Sequence, residues 1–262
     1  MLNGRSQRLW TILPSPDFCK SPVIITMVPD TPDVETVLFA EDGVAQGLEA
    51  GKTVVDMSSI SPTATVDFAR RINDLGCDYL DAPVSGGAPR AASGELTIMV
   101  GGPPDAFARV KPLFAAMGST ITLIGPRNGD GQVCKVANQI IVGITVEAVA
   151  EALLFAAKAG ADPAKVRQAL MGGAANSLIL ENHGQRMLDR DFTQSFRAEL
   201  QQKDLGLAVE AAKTLGMVLP NATQTWHLYN SCMAHGDGQA DQISILKALE
   251  TLANYKLNAH VD

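Results

Sequence analysis

The chain has little of what would announce a metal centre, a disulfide scaffold or a nucleic-acid surface. It carries four cysteines in 262 residues, Cys19, Cys77, Cys134 and Cys232, with no C-x-x-C pair. His183, His227, His235 and His260 are equally scattered. Neither set has metal-ligand spacing, so a metal site is not expected, and free thiols in a reducing compartment are the simple reading. Cys134 stands beside Lys135 and could be an activated thiol, but a small buried side chain is the plainer account. Positive charge is also sparse. Lys and Arg number 21 against 28 Asp and Glu, a net charge of −7, with no basic cluster. That argues against a nucleic-acid or anionic-membrane partner, although one local lysine can still serve an anionic substrate. No apolar run reads as long enough to span a membrane, and no apolar core follows Arg5 and Arg8 to make a signal peptide. A cytoplasmic protein is expected.

What is present suits a folded core. The composition is 46% hydrophobic and 19% charged, and the length fits one large domain or two small ones. Residues 1–21 show no period and hold Pro14 and Pro16, so they read as an irregular leader. Val23 to Val28 is a short β-branched apolar run, which suits a strand buried on both faces. Asp30 or Thr31 then caps a helix with Pro32 in its first turn. Strand and helix alternate through Thr53–Met57, Pro62–Leu75, Tyr79–Ala82, Leu96–Val100, Asp105–Met117 and Ile121–Ile124. That alternation predicts βαβ units and a parallel sheet, with ligands beyond the carboxyl ends of the strands. From about residue 128 only helical patterns follow, punctuated by Gly160, Gly172-Gly173, Gly216 and Gly236. The expected division is therefore an α/β domain over 22–127 and an all-α domain over 128–262.

The chain turns on Gly129-Asp-Gly-Gln-Val-Cys-Lys135-Val-Ala-Asn138, a glycine turn opening a long apolar helix. Lys135 and Asn138 are three residues apart and share a helix face. Burial lowers a lysine's pKa and makes it a proton donor and acceptor near neutrality. A lysine reaching to solvent beside a polar amide is the bland alternative.

Five stretches occur in order: Asp56-Met-Ser-Ser-Ile-Ser-Pro62, Asp81-Ala-Pro-Val-Ser-Gly-Gly87, Thr97-Ile-Met-Val-Gly-Gly102, Gly129-Asp-Gly-Gln with Lys135-x-x-Asn138, and Gln202-Lys203-Asp204-Leu205. Together they resemble the β-hydroxyacid dehydrogenase family from about Val23 to Ala253. The resemblance implies an α/β Rossmann-type domain followed by an all-α C-terminal domain, and NAD or NADP as cofactor. It implies reduction of a small carboxylate such as tartronate semialdehyde (2-hydroxy-3-oxopropanoate) to glycerate, with 3-hydroxyisobutyrate oxidation as the alternative. It assigns Lys135 as the catalytic lysine and Asn138, Ser85, Gly86 and Gly87 to the substrate. Met27, Val28, Pro29, Ser59 and Lys203 match cofactor contacts. Family habit also implies a homodimer or homotetramer. Each of these residues has a bland reading too: Ser59 as a helix cap, Gly86-Gly87 as a turn, Lys203 as surface charge.

The chain departs from the family pattern at its front. A Rossmann domain should open with a strand and a G-x-G-x-x-G turn that cradles pyrophosphate at a helix N-terminus. No such turn occurs, and Gly4 is the only glycine before Gly43. The sheet is therefore expected to lack its first βαβ unit. Val23–Val28 should then be an exposed apolar edge, and an inactive, truncated fragment becomes a further reading. A smaller departure is Gln201, which stands where the family usually has a histidine before Lys203.

Overall fold

A computed structural model describes residues 21–257. The expected leader, apart from Ser21, lies outside the described residues, as do Cys19 and His260. Six strands form one sheet: β1 (Val23–Thr26), β2 (Thr53–Asp56), β3 (Asp78–Asp81), β4 (Val84–Ser85), β5 (Leu96–Gly101) and β6 (Gly118–Gly125). Between them run α1 (Thr31–Phe39), α2 (Pro62–Asn73), α3 (Gly87–Ala92) and α4 (Pro104–Met117). After β6 the described chain holds helices and no further strand: α5 (Asp130–Lys158), α6 (Pro163–Met171), α7 (Gly184–Leu188), α8 (Ala198–Thr214), α9 (Pro220–Ala234) and α10 (Ile245–Ala253).

Local chemistry explains the helix starts. Asp30 accepts the Thr31 N–H while Asp33 accepts the Asp30 N–H, a reciprocal capping box in front of α1. Ser61, not Ser59, caps α2, with Pro62 in the first turn. A single π-helical turn, Ile179–His183, interrupts the expected helix over 177–188.

The sheet corrects the expectation of uniformly parallel strands. β1, β2 and β3 are parallel to one another, and β5 is parallel to β6. However, β5 runs antiparallel to β3 and β4. Pro83 breaks the chain after β3, and β4 then pairs Val84 with Ile98 and Ser85 with Thr97. That connection is too short for a parallel crossover, so the chain must return in the opposite sense.

The interior of the sheet follows the two-residue period of a strand. Val54 and Tyr79 face one core with Val34, Leu38, Phe68 and Ile72. Val55 and Leu80 face the other with Ile98, Val110 and Phe114. This is why β2 and the end of β3 are buried on both faces. Among the described residues β1 is an edge strand, as expected from the front of the chain, and is not buried on both faces. Its Ile24 and Thr26 are buried, but Ile25 is 42% exposed and Met27 60%. The strand is covered on one face, because no described element packs over Ile25 and Met27.

A third core, built around Val146, Leu153, Leu205, Tyr229, Ile243 and Leu246, belongs to the helices. α5 is its axis and packs on α6, α8, α9 and α10 as well as on β5 and β6. An 18-residue window of this helix has mean hydropathy 2.1, enough by length and composition to cross a membrane. The sequence reading, which found no such run, is corrected on that point. One side of the helix is buried against α8, α9, α10 and the sheet, while Val133, Ile141 and Phe155 lie exposed on another.

Two glycines explain how α5 reaches the sheet. Gly129 has φ 96°, a left-handed turn that starts the helix. A Cβ on Gly131 would stand 2.5 Å from the Met99 carbonyl oxygen and 2.8 Å from that of Asp81. Only a bare α-carbon lets the first turn of the helix sit on the ends of β3 and β5.

Candidate active site

The first turn of α5 is held by Asp81, at the end of β3. Its carboxylate accepts the N–H of Gly129 at 2.7 Å and of Gln132 at 2.9 Å. Burial pushes the Asp81 carboxyl up to about 6, and those N–H bonds only partly oppose the shift. Asp56, at the end of β2, is likewise raised by burial while Ser58, Thr26 and Tyr79 donate to it.

One turn further along α5, Lys135 is 7% exposed. Its ammonium donates to Gln139 Oε1 at 3.1 Å. Asn138 Nδ2 donates to the same oxygen at 2.7 Å, so the two expected residues meet through Gln139. Gln139 Nε2 in turn donates to Asp204 Oδ2 at 2.6 Å and Gln201 Oε1 at 3.1 Å, both on α8. Burial holds the Lys135 ammonium below its ordinary pKa; Asp204 opposes that shift and Lys203 adds to it. The bland reading of a lysine extending into water does not describe this side chain.

Lys203 joins the site from α8. Its Nζ donates to the carbonyls of Pro29 and Ser59 and pairs with Asp204 Oδ1 at 2.8 Å. The turns after β1 and β2 are thereby held side by side, and Ser58 Oγ accepting the Val28 N–H at 2.8 Å ties them again. Gln132, fully buried, bonds the second turn to α5. Its Oε1 accepts the Ile60 N–H at 3.1 Å and its Nε2 donates to the Ser58 carbonyl at 2.8 Å.

A cavity of about 10 Å³ lies among Ser59, Ile60, Gln132, Lys135, Val136, Gln139, Asp204 and Leu207. That is room for one water. Ser85, Gly86 and Gly87 are not among its walls. Ser85 lies on β4, Gly86 has φ 131°, and Gly87 opens the short helix α3, where the sequence suggested only a turn. A wider groove, about 780 Å³, lies between α2 and the Arg127–Val133 turn. It holds no lysine, and its arginines are paired with Asp67, Asp74 and Asp130. The buried Lys135 ammonium lines the small cavity and not this groove.

Four buried polar residues of the site carried no role in the sequence reading: Gln132, Gln139, Gln201 and Asp204. A signal for Gln139 exists, since it lies four residues after Lys135 and shares its face.

Comparison with known proteins decides the family. Residues 11–125 match the profile described as the NAD binding domain of 6-phosphogluconate dehydrogenase. Residues 129–249 match that of the NAD-binding of NADP-dependent 3-hydroxyisobutyrate dehydrogenase. The chain is 59% identical over 237 residues to 2-hydroxy-3-oxopropionate reductase of Escherichia coli, covering 90% of this chain and 81% of that protein. The chain belongs to the β-hydroxyacid dehydrogenase family. A further relative is 2-(hydroxymethyl)glutarate dehydrogenase of Eubacterium barkeri, 34% identical, covering 91% and 79% of the two chains. The crystal structure of 3-hydroxyisobutyrate dehydrogenase from Salmonella typhimurium superposes with a TM-score of 0.80 at 34% identity, covering 87% and 80%.

β-Hydroxyacid dehydrogenases of this kind use NAD or NADP, and the described residues fit the nicotinamide end of either. The Lys203 bonds bring two strand-end turns together at the lysine, and exposed Met27 offers apolar surface for a flat ring. Among the described residues there is no G-x-G-x-x-G turn of the kind that cradles a pyrophosphate.

Proposed function

We propose that this β-hydroxyacid dehydrogenase reduces tartronate semialdehyde to glycerate with Lys135 as the proton donor. The observation that carries the reading is the buried Lys135 ammonium, held by Gln139 at the carboxyl ends of β2 and β3. The 59% identity to the Escherichia coli reductase supports the choice of substrate.

The reduced nicotinamide supplies a hydride to the carbonyl carbon when bound. Negative charge then grows on the carbonyl oxygen. The Lys135 ammonium neutralises it and gives its proton from Nζ. Gln139 and Asn138 hold that donor in place, and Asn138 lies near enough to meet the substrate as well. Ser85, Gly86 and Gly87 present backbone N–H groups to the carboxylate. Met27, Val28, Pro29, Ser59 and Lys203 line the ring. The division at 127/128 separates this cofactor-facing half from the helical half that supplies Lys203. The small carboxylate substrate accords with a cytoplasmic enzyme.

The test is a coupled assay of tartronate semialdehyde with NADH and NADPH, beside 3-hydroxyisobutyrate with NAD and NADP. Turnover of tartronate semialdehyde at least tenfold more efficient than that of 3-hydroxyisobutyrate is expected. The reverse order would favour 3-hydroxyisobutyrate oxidation, to which the profile over 129–249 points.

A further inference from the structure

We infer that Gln132 is a positioning residue for this reaction: it sets the distance between the Lys135 proton donor and the Ser58–Ile60 turn that faces the ring. The inference rests on the functional reading above.

Gln132 has three ties, and all are buried. Its backbone N–H goes to Asp81 Oδ2 at 2.9 Å, which seats the start of α5 on β3. Its side-chain oxygen takes the Ile60 N–H, and its side-chain nitrogen gives to the Ser58 carbonyl. An amide is the side-chain group that can accept from one backbone position and donate to another two residues away. An aliphatic residue of the same size would leave a buried N–H and a buried C=O without partners. A glutamate would keep the first bond and set an oxygen against the Ser58 carbonyl.

The placement is what gives these bonds a catalytic consequence. Lys135 follows Gln132 by three residues, about 4.5 Å along the helix and on the same side. Both residues line the small cavity with Ser59 and Ile60. The Ser58 hydroxyl carries the constraint on to Val28, so both strand-end turns are referred to α5. Lys203 fixes those turns from α8. Gln132 fixes them to the helix that bears the proton donor. Hydride donor and proton donor must reach one carbonyl group together, and an error of about 1 Å in such an arrangement costs on the order of a hundredfold in rate.

The experiment compares Gln132→Met and Gln132→Glu with the parent protein. The readouts are exchange of the Ile60 amide proton, kcat, substrate KM, nucleotide Kd and the kinetic isotope effect with nucleotide deuterated at the transferred position. For Gln132→Met we expect Ile60 exchange at least tenfold faster and kcat about a hundredfold lower. The isotope effect should rise as hydride transfer becomes slower than release, while KM and Kd stay within threefold. Gln132→Glu, which keeps the Ile60 bond, should fall between. Unchanged kcat and isotope effect beside faster Ile60 exchange would overturn the inference and leave a structural bond. A loss of kcat that only tracks the folded fraction in circular dichroism would overturn it as well. Failure of the functional reading looks different: the parent protein would turn over no hydroxyacid, and the role of Gln132 would be withdrawn with it.

Discussion

Lys135 weakens the fold that it serves. Its ammonium is buried, so its folded pKa lies below the unfolded value. The folded state then binds fewer protons than the unfolded one between those two values, and stability rises with pH across that window. At neutral pH the buried charge is a net cost. Replacing Lys135 with Met should therefore leave the thermal midpoint equal or higher, while kcat/KM falls by about 10²–10⁴. A midpoint lowered by several degrees would contradict this account. The rate of carbonyl reduction by the parent protein should also decline as pH rises through the lowered lysine pKa, because only the ammonium form donates.

At the scale of elements, the junction of β3 with α5 is pH-sensitive in the opposite sense. Asp81 has its folded carboxyl pushed up to about 6. The folded state thus binds more protons than the unfolded one between about 4 and 6, and stability falls as pH rises through that interval. A shift of about two units corresponds to about 3 kcal/mol. Asp56, raised by the same cause, acts in the same direction. Chemical denaturation at pH 4.5 and pH 7 should therefore show a smaller pH effect in Asp81→Asn than in the parent protein. Equal effects would remove Asp81 from the account.

Some of this junction was legible in the sequence. The alternation of apolar runs and polar turns located the strands and helices, and Gly129 with Gly131 marked the turn. The direction of β5 was not legible, since a two-residue period is the same for either sense of a strand. The exposure of Ile25 and Met27 was legible only as the risk of an apolar edge. Lys135 was recognisable because a cation in an apolar helix is unusual. Gln139 left a signal only in its four-residue spacing from Lys135, and Gln132, Gln201 and Asp204 left none, because their partners lie up to 74 residues away in the chain. Long-range hydrogen bonds of that kind leave no periodic trace.

For the whole molecule, α5 also has an unpaired side. Val133, Ile141 and Phe155 are 57%, 67% and 75% exposed. At 100° per residue they fall within about 80° of one another on one face. If the homodimer or homotetramer implied by family habit forms, this stripe on the long helix is apolar surface for its contact. Light scattering of the purified protein should give a multiple of 27.7 kDa. Phe155→Glu should shift it toward the single-chain mass without loss of helix content. A monomer in the parent protein would leave the stripe without that role.

The cavity beside Lys135 has room for one water, and a three-carbon acid is far larger. A substrate that enters this cavity therefore has to part its walls. The parts that separate are the Pro29 and Ser59 turns on one side and α8 on the other. The side chain that spans them is Lys203. Its two carbonyl bonds then have to break for the walls to part and re-form when they close.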